Sequence, residues 1–258
     1  MVGVSGIVLA ANSPFIHHKI CEENCRKLDI AALQLPVNQV VALVAPLYSG
    51  RIALSTSNLL NFLTFSTLFE FRWIFDCCVI FFTQNIRPDL VLDFLELGLR
   101  TENHCLDRYK TILSLISKYL EEGNNMQLTC SYMKQSEKVG SLSGEAIEFL
   151  CKVGSQNVVE IVSLVLGWLQ VGEENMELVP SLLDSLDFVE LYRQDEQLTE
   201  HFFTHIITGN YTADIRIRIM NLSFNSYRNV HKNSTKNKAV SAFRMGRLKS
   251  AKRDESDL

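Results

Sequence analysis

The chain has 258 residues, of which 47% are hydrophobic and 21% charged, with only 12 glycines and 5 prolines. That is apolar material enough for one large domain or two small ones, and it excludes a chain disordered overall or built like collagen. The net charge of −4 marks no general nucleic-acid binder, but it is the sum of a −10 body (residues 1–227) and a +6 end (residues 228–258). The seven cysteines are odd in number and none stands in a CxxC pair, which points to reduced thiols in a cytoplasmic or nuclear protein.

Met1 to Phe15 is apolar but lacks the basic start of a signal peptide. Leu28 to Leu35 is a candidate strand. From Val37 to Leu47 the apolar residues Val40, Val41, Leu43, Val44 and Leu47 recur at helical steps, Pro46 predicts a bend, and Gly50 suits a left-handed C-terminal turn. A second helix is expected after Ser55-Thr56-Ser57, all good N-caps, and a third over Ile74 to Phe82. Glu70, Arg72 and Asp76 interrupt Leu59 to Phe82, so no membrane span is expected there. Further helices are predicted over Asp89–Leu99 (with Pro88 at its first position), Tyr109–Leu120, Glu145–Val153, Val158–Val171 and Val179–Tyr192. Ile215-Arg216-Ile217-Arg218-Ile219 alternates strictly and reads as the cleanest strand. Residues 225–258, rich in Asn, Ser, Lys and Arg, read as a flexible basic tail. The fold class expected is mainly α.

Catalytic chemistry is sparse. His201 and His205 would share a helical face, but Phe202 stands where a zinc protease needs its glutamate. His17, His18, Cys21 and Cys25 have helix-compatible spacing for soft ligands, without a matching second cluster. His104 and Cys105 are adjacent, and neighbours on a helix diverge by about 100°. Asp184, Asp187, Glu190, Asp195 and Glu196 read as a solvated helix face, and Trp168 and the series Phe62, Phe65, Phe69, Phe71 as core. No phosphate-binding glycine loop or nucleophile elbow is present, so neither an enzyme nor a cofactor is expected.

Two stretches carry a family pattern. Val8-Leu9-Ala10-Ala11-Asn12-Ser13-Pro14-Phe15 resembles the "VLAA-x-SP-[FY]" segment of BTB/POZ domains, and Leu47-Tyr48-Ser49-Gly50-Arg51-Ile52 resembles their "IYTG-[KR]-[IV]". Leu54, Asn58, Leu63, Leu68 and Cys77-Cys78 follow in register. From Pro88 and Leu92 on, and most clearly over Leu150, Val153, Ser155-Gln156-Asn157, Val165 to Trp168 and Leu182-Leu183, the chain is similar to the BACK domain of kelch-like proteins. The resemblance implies a BTB/POZ remnant at 1–86, a BACK domain at 87–205, and a short strand-like segment with the basic tail at 206–258. Only six residues precede Ile7, so the family's first strand, long helix and next two strands are missing, and with them most of its dimer contact.

The same resemblance implies a substrate adaptor of a cullin-based ubiquitin ligase, its BTB part expected to dock the cullin and its BACK part to act as spacer. Ile20-Cys21-Glu22 matches the family's hydrophobic-x-Glu contact in the loop before a strand, with Ile20 filling an apolar pocket and Glu22 pairing at the cullin surface; the alternative is an ordinary surface loop whose Ile20 packs internally. Tyr48 matches a tyrosine near the same face, with core packing as its alternative. The rival readings are an oligomerisation scaffold without ligase function and a nuclear BTB factor; neither a membrane nor nucleic acid is an expected partner. In the tail, Ser250 is a candidate phosphorylation site, and Glu255-Ser256-Asp257-Leu258 fits a PDZ-binding end.

Overall fold

Apolar residues at helical spacing, broken at short intervals by Ser, Pro, Asn and Gly, dictate a chain of short helices. The computed structural model describes residues 4–25, 36–99, 106–171, 177–209 and 211–231. The chain is mainly helical, and no strand occurs among the described residues. It divides into two compact units, Met1–Ser136 and Glu137–Leu258. The break falls inside the 87–205 span assigned to a BACK-like array.

The N-terminal unit begins with α1 (Gly6–Asn12) and α2 (Pro14–Cys21). Ser13 separates them: its backbone is extended, its hydroxyl accepts from the Ile16 amide at 2.9 Å, and Pro14 takes the first helical position. The same buried hydroxyl donates to the carbonyl of Phe69. Helix α3 (Val37–Ser49) runs through Pro46 and ends at Gly50, whose φ of 64° is left-handed and whose amide donates to the Pro46 carbonyl at 2.8 Å.

Helix α4 (Leu59–Leu68) starts later than the Ser55–Ser57 caps predict. Asn58 folds the preceding turn back on itself, accepting from the Ser55 amide at 2.8 Å and donating to the Ala53 carbonyl at 3.0 Å. The expected third helix is α5 (Arg72–Asn85), followed by α6 (Pro88–Gly98), α7 (Leu106–Glu121) and α8 (Asn125–Gln135). Phenylalanines fill the core: Phe65 stacks on Phe71 at 4.8 Å between centroids, and Phe82 meets Phe94 at 4.5 Å. Arg108 of α7 donates to the Ser66 carbonyl at 2.8 Å and lies over the Phe75 ring, tying α7 to the α4–α5 hairpin.

The C-terminal unit opens with a 3-10 turn (Lys138–Ser141) and continues with α9 (Gly144–Val153), α10 (Val158–Leu169), α11 (Val179–Ser185), α12 (Phe188–Gln194) and α13 (Glu196–Thr208). Helix α10 is buried over most of its surface, with Glu160, Ser163 and Gly167 on a half-buried face, and α9, α12, α13 and the 3-10 turn pack against it. Its Trp168 is 1% exposed, and the indole N–H donates to the Leu142 carbonyl at 2.9 Å. Phe188 of α12 packs against Phe202 and Phe203 of α13, at 5.5 and 5.2 Å between centroids.

Two expectations are corrected here. The single helix over Val179–Tyr192 is two, because Leu186 is extended and the Asp187 side chain caps a new start at the amides of Val189 and Glu190. The strand over Ile215–Ile219 is helix, part of α14 (residues 213–231). Alternation over five residues is short, and the longer register Ile215, Ile219, Leu222, Ser226, Val230 repeats at steps of three and four, turning these residues inward.

These contacts predict two stability losses measurable by urea denaturation. Ser13→Ala removes a cap and leaves the Phe69 carbonyl unpaired, costing about 2 kcal/mol. Trp168→Phe keeps most of the packing but strands the buried Leu142 carbonyl, costing about 1–3 kcal/mol.

Candidate functional site

Residues distant in sequence meet at the start of α1. The Ser5 amide donates to the Tyr48 hydroxyl of α3 at 2.6 Å. At the next residue, a methyl on Gly6 would stand 3.2 Å from Cδ1 of Ile20 in α2. Tyr48 and Ile20 thus approach consecutive residues of α1 from two different helices. Tyr48 nonetheless remains 52% exposed, so its alternative role in the core is excluded, and Ile7, Val4 and Val41 (two turns before Tyr48 on α3) are exposed as well.

Glu22 follows directly on α2. Its amide closes the helix on the His18 carbonyl at 2.9 Å, while its side chain, 64% exposed, reaches His18 Nδ1 at 2.8 Å. Lys19 pairs with Glu23 at 2.7 Å, and that hydrogen bond holds the Glu23 carboxyl below the usual range. The end of α2 thus exposes Glu22 and Glu23, while Val4 and Ile7 at α1 and Val41 and Tyr48 on α3 expose apolar side chains.

Ile20 and Cys21 lie in the last turn of a helix, where the sequence reading placed a loop. The reason is local: the Ser13 cap and Pro14 start a helix that reaches Cys21 before it stops. The strand expected over Leu28–Leu35 lies outside the described residues, as do His104, Cys105, Ser250 and the C-terminal four residues. What the sequence reading missed is Ser13 itself, although a serine before proline ahead of an apolar run is a helix-start signal.

The other candidates resolve into structural roles. Cys21 Sγ lies 3.7 Å from His17 Nε2, while His18 faces Glu22 and Glu23. No three His, Cys, Asp or Glu side chains among the described residues are grouped to hold a metal. His201 is exposed; His205 packs edge-on to Tyr211, and burial followed by the neighbouring His201 pushes its pKa below 6.5. Asp187 and Asp195 are helix caps, Glu190 pairs with Arg193, Glu196 accepts from the Tyr192 hydroxyl at 2.6 Å, and Asp184 pairs with Arg218. No helix among the described residues is long and apolar enough to cross a membrane. No family model matches the chain, and no curated protein matches it.

Two measurements follow from the titrating groups. Burial pushes the Cys78 thiol up to about 12, so maleimide at neutral pH is expected to label exposed Cys21 rapidly and Cys78 only as the protein unfolds. For His205 the folded state favours the neutral ring; its contribution to stability is complete above pH 6.5 and is lost as pH falls through the lowered folded value. An NMR titration should therefore place its midpoint below 6.5.

Proposed function

We propose that the protein is a non-enzymatic adaptor of a cullin-based ubiquitin ligase, with a reduced BTB/POZ segment that docks the cullin and a BACK-like helical array that acts as spacer toward a protein substrate. The observation that supports this reading is the approach of two family-matched residues, Ile20 and Tyr48, to the start of α1, with Glu22 exposed two residues beyond Ile20 at the end of α2. Tyr48 and Ile7 supply the apolar contact, and the Glu22 carboxylate accepts hydrogen bonds from the cullin. Ile20, packed under Gly6, supports the surface from below.

A calorimetric titration of the full chain with a cullin N-terminal domain tests the proposal. Glu22→Ala with Tyr48→Ala is expected to weaken binding at least about tenfold, since central aromatic and charged anchors each carry about 1–2 kcal/mol or more. Ile20→Ala with Glu22→Ala should act in the same direction. Absent binding by the native chain, or binding that survives both pairs of substitutions, contradicts the assignment.

A further inference from the structure

The inward register of α14 leaves a second register on the outside. Ala213, Ile217, Met220, Phe224, Tyr227 and His231 repeat at alternating steps of four and three, the 3.5-residue period of a coiled-coil seam. Ile217, Met220 and Phe224 stand well out of the fold, 57%, 58% and 64% exposed, while Tyr227, 51% exposed, also rests edge-on against Tyr192 at 6.0 Å. An amphipathic helix of a single folded unit needs only its inward stripe. Here there are two stripes, and four large apolar side chains in line are more than scattered surface residues supply.

The charges beside the seam indicate what covers it. Arg216 is engaged with the Gly209 carbonyl and Arg218 with Asp184, both within the C-terminal unit. Asp214 and Arg228 are exposed, and among the described residues neither has an ion-pair partner. Each sits one residue beyond a seam position, after Ala213 and after Tyr227, and they are about 21 Å apart along the helix. Two such helices laid antiparallel bring Ile217 against Tyr227 of the second copy and Met220 against its Phe224. The same register sets Asp214 beside Arg228 of the second copy, twice by symmetry. A parallel arrangement makes neither pair.

We propose that the outer face of α14 is a homodimer interface, in which two copies of this chain pair their helices antiparallel along Ile217, Met220, Phe224 and Tyr227, with reciprocal Asp214–Arg228 ion pairs fixing the register. The interface lies in the C-terminal unit and shares no residue with the docking surface proposed at α1.

Sedimentation equilibrium of the full chain decides it, with circular dichroism as a check that each variant is folded. The native chain should dimerise in the micromolar range, and Phe224→Asp, at an exposed position, should give a folded monomer. Asp214→Arg alone and Arg228→Asp alone should each weaken the dimer about tenfold at low salt, since each reverses a charge in two symmetric pairs. The double reversal should restore it. A native chain that is monomeric at high micromolar concentration overturns the proposal, whatever else then covers the stripe. So does a dimer indifferent to Phe224→Asp, and so does failure of the double reversal to rescue.

Discussion

The Ser13 hydroxyl joins what local sequence preference alone would leave apart. Helices α1 and α2 have seven and eight residues, too short to persist in water without support. Ser13 stops the first, caps the second at Ile16, and donates to the Phe69 carbonyl at the end of α4. One buried atom thereby fixes the angle between α1 and α2 and ties both to the phenylalanine core. A second bond, from the Ser5 amide to the Tyr48 hydroxyl, holds the start of α1 to α3.

The sequence disclosed those parts of the fold where one period dominates. The stripes of α3 and α7, Pro88 at the start of α6 and Gly50 after α3 were all legible, since each depends on interactions within one helix. Failures came where a side chain reaches out of its own segment. Asp187 restarts a helix that apolar periodicity alone would continue. Ile215–Ile219 alternates, yet Arg216 and Arg218 spend their long side chains on Gly209 and Asp184, and the register that matters spans the whole helix. Helix α8 was not foreseen: its buried residues are Met126, Thr129, Cys130 and Met133, a stripe in which polar and sulfur-bearing side chains obscure the hydrophobic pattern.

The candidate site was legible in part. Ile20, Glu22 and Tyr48 stand out by local resemblance; the approach of Ile20 and Tyr48 to α1 depends on tertiary packing that no local pattern encodes. The acidic series Asp184 to Glu196 reads from the sequence as one solvated helix face but divides in the fold: Asp187 and Asp195 cap helices, Glu190 and Asp184 pair with Arg193 and Arg218, and Glu196 accepts from the Tyr192 hydroxyl. Taken together, the two units present surfaces suited to binding: a mixed apolar and acidic patch in the first, and an apolar helical seam flanked by opposite charges in the second.

The central claim is that a protein partner covers the start of α1 and the end of α2. Hydrogen–deuterium exchange of the full chain, alone and with a cullin N-terminal domain, tests it most directly. The account predicts slowed exchange in residues 4–8, 19–25 and 46–50, with little change in α9–α13. Unchanged exchange in those three segments at saturating cullin, or protection confined to the C-terminal unit, would contradict it.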